Sequence, residues 1–231
     1  MANIFLYSSS IGRKLVMSIS GCFLILFLLF HLTMNLVVIF SAEAYNMICE
    51  FLGANWYALV GSLVLAAGVA LHVLYATWLT LQNRAARGKE RYAVTANEQG
   101  VAWAAKNMYV LGLVIVVGLL LHLYNFWYNM QLTELLGKSV NAQGTSPTDG
   151  AALIAALFAQ PVYCIVYIVW LAGIWFHLTH GMWSMFQTVG WANKTWYPRL
   201  KMIANIVSTL MMLCFAAVVV IFYLRSVGVN I

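Results

Sequence analysis

Five long runs of this chain carry no charged residue, and that pattern decides what it can fold into. No Asp, Glu, Lys or Arg lies between Lys14 and Glu43, Glu50 and Arg84, Lys106 and Glu134, Asp149 and Lys194, or Lys201 and Arg225. Each run holds the ~20 apolar residues that carry a helix across hydrocarbon. Of the 231 residues 64% are hydrophobic and only 8% charged, outside the range of soluble globular chains. The reading is an all-α integral membrane protein, a single membrane domain over 1–231, with five transmembrane helices. Their cores lie near 17–40, 56–81, 108–129, 161–187 and 203–224. Aromatic residues at the run edges, among them Trp56, Trp103, Trp127 and Trp196, read as interfacial anchors.

Basic residues orient the bundle. Arg13 and Lys14 precede helix 1, Arg84, Arg87, Lys89, Arg91 and Lys106 fall between helices 2 and 3, and Lys194, Arg199 and Lys201 between 4 and 5. The opposite side has Lys138 and Arg225 beside Glu43, Glu50, Glu134 and Asp149. The positive-inside rule then puts the N-terminus in the cytoplasm and the C-terminus outside. The net charge of +6 is divided among short loops and gives no reason to expect nucleic acid. The first apolar run is too long for a signal-peptide core and lacks a small-residue cleavage site, so it reads as a retained helix.

Between helices 2 and 3, segment 83–106 mixes Glu90 and Glu98 with its basic residues, which suits a surface that meets another protein as well as a merely solvated loop. Segment 130–150 reads as an outer loop, and Ala151 to Gln160 as a short interfacial helix ahead of the helix that Pro161 starts. Cys22, Cys49, Cys164 and Cys214 have no Cys-x-x-Cys spacing, which leaves them as small packing residues.

Four of the five runs each contain a histidine late in the run: His31, His72, His122 and His177. An ionisable group at bilayer depth is costly and marks a functional site by default. Counting 1.5 Å per residue from the entry of each helix puts His31 and His122 ~20 Å from the inner boundary. His72 and His177 lie ~24 Å from the outer face of a core about 30 Å thick. Two levels follow, His31 with His122 toward the outside and His72 with His177 toward the cytoplasm. Neutral imidazole is a strong ligand for haem iron, and bundle interiors hold such cofactors between facing helices. The expectation is two b-type haems in a four-helix core, with a fifth helix added. Hydrogen bonding across helices is the competing account of each single histidine, but it does not require matched levels. His180 lies one turn beyond His177 on the same helix face, so either residue suits the inner iron, the other then serving a haem propionate.

The residues around these histidines resemble the b558-type di-haem cytochrome b subunit of succinate:quinone oxidoreductases, a family that includes fumarate reductases. The resemblance spans nearly the whole chain. It rests on Ser18-Ile-Ser-Gly21 followed by Phe30-His31-Leu32, on Ala70-Leu-His-Val-Leu-Tyr75 with basic residues after it, and on Leu121-His122-Leu123. The fourth helix carries His177-Leu-Thr-His-Gly181-Met-Trp-Ser184 and then Gly190, satisfying a His-x-x-x-Gly pattern with a further glycine nine residues on. That pattern assigns ligation to His177 and leaves His180 a supporting role.

The resemblance implies a membrane anchor for two cytoplasmic subunits, a flavoprotein with FAD and an iron–sulfur protein, in a bacterial cytoplasmic membrane. One possible assembly is a dimer of such heterotrimers. Electrons would pass between the iron–sulfur clusters, the two haems and a quinone, expected to be menaquinone. Family quinone sites of this type lie toward the outer haem, where Glu50, and after it Glu43, are the carboxylates placed to exchange protons if buried. Arg13, Lys14, Ser18, Ser20, Arg84 and Ser184 are candidate propionate donors. Two other readings compete: a cytochrome b serving a hydrogenase or formate dehydrogenase, and a haem-free transporter with polar midplane histidines.

Overall fold

The computed structural model describes residues 9–87, 103–191 and 193–230 and contains no strand among them. The connection assigned above to protein contact, with Glu90 and Glu98, lies outside the described residues for most of its length. The helices, in chain order, are α1 (Ser10–Phe40), α2 (Ala42–Phe51), α3 (Trp56–Arg87), the single turn α4 (Trp103–Lys106), α5 (Met108–His122), α6 (Gly150–Phe158), α7 (Pro161–Thr188) and α8 (Trp196–Ser226). From Leu123 to Leu132 α5 continues as a π-helix, closing with Thr133–Leu135. Helices α1, α3, α5 with its continuation, α7 and α8 are long and apolar enough to cross a membrane. Their outward faces carry exposed Leu63, Val117, Leu120, Ile165, Val169 and Leu213, a belt that only hydrocarbon covers without penalty. The protein is an all-α membrane protein with five spanning helices.

Local sequence sets where the helices begin and end. Ser9 caps α1 through its hydroxyl, which accepts from Gly12 N at 2.9 Å. Ser41 closes α1 in extended geometry and caps α2 by accepting from Ala44 N, so one residue turns the chain from spanning to lateral. Asp149 caps α6, and Pro161 occupies the first turn of α7, where its missing N–H costs nothing. Gly190 ends α7. Its φ of +81° is open to glycine, Gly190 N bonds Gln187 O, Trp191 N bonds Phe186 O, and the Phe186 and Trp191 rings stack at 5.6 Å. This is a complete Schellman stop with its apolar clasp.

Two apolar cores hold the bundle. One gathers Val38, Tyr45, Ile154, Phe158, Tyr167 and Phe222 at the α2–α6 end; the other gathers Leu32, Leu171, Ile174, Met182, Ala204 and Met211 between α1, α7 and α8. The fifth spanning helix α8 is thus woven into both cores and has the largest buried share of the five. Helix α3 contributes to neither, and no residue of its apolar window is buried. It rests on α1 and, more lightly, on α5, while α5 and α1 each pack on α7. The four histidine-bearing helices therefore form a ring in the order α1, α3, α5, α7.

Small residues allow the closest approaches. A methyl group on Gly118 would collide with the Trp170 indole, which is held in place by its Nε1–H donating to Ile115 O at 3.1 Å. Gly118→Ala is expected to lower stability by about 1–3 kcal/mol, the usual cost of overpacking a fixed neighbour. Thermal unfolding in detergent measures this; an unchanged midpoint would show that Trp170 yields freely.

Candidate functional site

The structure brings the four histidines together as two pairs across the ring. His31 of α1 meets His122 of α5 with ring centroids 5.8 Å apart and planes at 89°. His72 of α3 and His177 of α7 lie within electrostatic reach of each other. Each pair joins diagonal members of the ring, helices that share no substantial backbone packing of their own. The pairs occupy different depths. Ser20, which touches His72, precedes His31 by eleven residues, or about 16 Å along α1.

Aromatic rings enclose the first pair. Phe27 and Phe215 flank His31, and Phe126, Tyr167 and Trp170 surround His122. His122 is the last α-helical residue before the π-helix, an irregularity that is frequent at functional sites. The widened turns are supported by polar side chains reaching back five residues: Asn129 Nδ2 donates to Tyr124 O at 3.0 Å and Thr133 Oγ1 to Tyr128 O at 2.8 Å. Asn125 Nδ2 donates to the Tyr167 hydroxyl, also buried, at 3.1 Å. Gln131 accepts from Ser62 Oγ and Trp127 Nε1 and donates to Gly53 O, fastening the α2–α3 loop to this end. The sequence reading missed this network, although its signal is visible: Asn125, Asn129, Gln131 and Thr133 interrupt an apolar run.

Asn35 ties His31 to the lateral helix. Its Nδ2 donates to His31 O at 2.8 Å and lies 3.4 Å from both ring nitrogens, while its Oδ1 accepts from the Tyr45 hydroxyl at 3.1 Å. Tyr45 is buried near Cys49, and burial pushes its phenol well above the usual range, so it remains a hydroxyl donor.

The second pair has a different support. Ser20 Oγ donates to Met17 O at 3.2 Å and lies 3.0 Å from His72 Nδ1. With the hydroxyl proton committed to that carbonyl, Nδ1 is the donor, and the lone pair is left on Nε2, the nitrogen free to bind a metal. Glycines open the walls: a methyl on Gly21 would lie 3.6 Å from His72 Cε1, and one on Gly112 3.9 Å from His177 Cε1. His180, one turn on from His177, packs edge-on against Trp183 at 5.0 Å.

The unpaired polar atoms are concentrated here. Four buried side-chain nitrogens or oxygens among the described residues have no hydrogen-bond partner, and three are Nδ1 of His122, His177 and His180; the fourth is Ser208 Oγ. A buried polar atom without a partner costs about 1–3 kcal/mol, so these three ring nitrogens mark places where the described residues leave an imidazole unmatched. The 5.8 Å between the His31 and His122 ring centroids is a spacing compatible with a metal held between the two imidazoles. The donor set and the diagonal placement fit a bis-histidine haem at each pair. No group of three or more His, Cys, Asp or Glu suited to a bare metal ion occurs among the described residues.

The other sequence candidates divide. Ser18 is buried on the same helix as Ser20, and Ser184 is half-buried. Arg13 is occupied by Gln82 Oε1 at 2.8 Å and Ser9 O, Lys14 is exposed, and Arg84 is exposed with its guanidinium 6.0 Å from the Tyr109 ring centroid. Glu43 and Glu50 are both exposed on α2, so the buried carboxylate that the proton-exchange role required is not found at either position. Two other acids at this end are half-buried: Glu134, whose carboxylate accepts from Ala54 N at 3.0 Å, and Asp149, which accepts from Asn46 Nδ2 at 2.8 Å and Ala152 N at 3.0 Å. A cleft of ≈ 490 Å³ opens nearby, lined by Val38, Ser41, Asn46, Asp149, Phe222 and Arg225, and no histidine borders it.

Comparison of the chain with protein-family models, curated proteins and solved structures gives no match.

The Tyr45–Cys49 contact has a pH signature. Burial pushes the Cys49 thiol up to about 11, and the thiolate is the reactive form. With the other three cysteines replaced by serine, alkylation of Cys49 is expected to be slow at pH 8 and to rise about tenfold per pH unit toward pH 11. A rate that levels off near pH 9 would mean an open, water-exposed thiol.

Proposed function

We propose that this chain is the di-haem cytochrome b anchor of a succinate:quinone oxidoreductase or fumarate reductase, carrying electrons between an iron–sulfur subunit and menaquinone. The observation that carries the reading is the His31–His122 ring contact across one diagonal of the four-helix ring, with His72 and His177 within electrostatic reach across the other at a separate depth. Its motifs and the positive-inside rule support a bacterial cytoplasmic membrane with the N-terminus on the cytoplasmic side, where the flavoprotein and iron–sulfur subunits dock.

His31 and His122 would hold the outer haem, His72 and His177 the inner. Held by two imidazoles, such a group would supply one-electron transfer rather than oxygen binding. The chain's own residues do the rest. Ser20 keeps His72 in the ligating tautomer, and Asn35, fixed by Tyr45, holds the backbone and ring of His31. Phe27, Phe215, Phe126 and Trp170 exclude water from the outer pair. The polar π-helical segment and Glu134 line the end where a quinone headgroup would meet hydrogen-bond donors and acceptors at the hydrocarbon edge. Dicarboxylate chemistry belongs to the flavoprotein partner.

A pyridine haemochrome assay on the purified complex should count two b haems per chain, with a covalent-FAD subunit co-purifying. His31→Ala or His122→Ala should reduce the count to one and leave the second spectrum intact. Two haems retained in either variant would sink the pairing, and a colourless wild type would sink the reading.

Ser20→Ala tests the inner pair separately. Loss of a histidine's outer hydrogen bond weakens metal binding by about 10–100-fold, so inner-haem occupancy should fall during chelator or detergent challenge while the outer haem persists. Equal retention of both haems would leave Ser20 no tautomer-setting role.

A further inference from the structure

Lys201 occupies a setting that its own neighbours do not explain. It lies in the second turn of α8, half-buried, with Nζ 5.1 Å from the Trp183 ring centroid and 5.1 Å from that of Tyr197. Those two rings meet edge-on at 5.2 Å, and Trp183 is buried against His180. The result is an ammonium held on two aromatic faces and within electrostatic reach of the His180 ring, whose buried Nδ1 has no hydrogen-bond partner.

Aromatic faces attract a cation but supply no acceptor lone pair, and a partly desolvated ammonium is stabilised mainly by an anion. Lys201 has no acidic partner among the described residues. The four described acids, Glu43, Glu50, Glu134 and Asp149, all sit at the opposite end of the bundle. Two potential donors therefore converge, one turn beyond His177, on a place where the described residues provide no acidic partner.

Resting on the di-haem reading, we infer that Lys201 and His180 form the carboxylate site for a propionate of the inner cofactor, with Trp183 and Tyr197 as its walls. The candidates named from sequence are less well placed for this: Arg13 is bonded to Gln82, and Lys14 and Arg84 are exposed. Lys201 escaped the sequence reading because it belongs to the fifth helix, which carries no histidine of its own, and reaches the site only through the packing of α8 on α7. A fixed cation beside a haem opposes the extra positive charge of the ferric form and raises that haem's potential.

The test is a redox titration of the whole purified complex, wild type against Lys201→Met and Lys201→Arg. The inner haem is identified as the one lost in His72→Ala. Lys201→Met keeps the aliphatic stem and removes the charge; it should lower the inner potential and leave the outer one unmoved, while Lys201→Arg should stay close to wild type. Release of the inner haem alone, with the outer retained, also supports the site. Unmoved potentials with both haems present overturn it and leave Lys201 as an aromatic anchor of α8. An equal shift in Lys201→Arg overturns it too, since charge would then not be the cause. If Lys201→Met does not assemble, Lys201→Gln is read in the same way. A wild type without haem overturns the di-haem reading and this inference with it.

Discussion

Water cannot reach a polar group inside hydrocarbon, and nearly everything distinctive here follows from how the chain satisfies that rule. Backbone groups are closed within helices. Side chains follow three solutions. Ser20, Thr33, Thr77 and Thr80 return their hydroxyls to the carbonyl three or four residues back. Asn125, Asn129 and Gln131 form a network that unwinds a helix to reach its acceptors. The imidazoles of His122, His177 and His180 keep a buried nitrogen unmatched, and with Ser208 Oγ they are the four buried side-chain atoms among the described residues that lack a partner.

The two histidine pairs are built differently. At the outer pair, support comes from an amide on the same helix, locked by a phenol on the lateral helix α2, and from a dense aromatic wall. At the inner pair, a serine on a neighbouring spanning helix lies against one ring, and Gly21 and Gly112 border the two imidazoles. Two histidine pairs in such different hydrogen-bonding surroundings are not equivalent, so a metal held at one would differ in electronic character from a metal held at the other.

Much of this was legible in the chain. Charge gaps located all five spans, because lipid tolerates no ambiguity about charge, and histidine positions with helical rise gave the two depths. Pro161 marked the start of α7, and Gly190 marked its end through a left-handed backbone that other residues resist. What escaped were features made by packing. The π-helix arises where polar side chains compete for carbonyls, and a hydropathy count averages them away. Glu134 is half-buried because the α2–α3 loop folds over the end of the α5 continuation, a contact between residues eighty positions apart. The involvement of α8 could not be read either, since every spanning helix is apolar all round and periodicity does not say which face is inward.

Helix α3 gives the architecture its asymmetry. Both apolar cores lie on the α1–α7–α8 flank, and α3 leans on the ring with no buried residue in its apolar window. Free energy of local opening scales with buried contact, so this helix is the one that parts from the bundle most cheaply. It also carries one histidine of the inner pair. Exchange between the interior of the ring and the surrounding lipid is therefore expected first along the seams that α3 makes with α1 and α5.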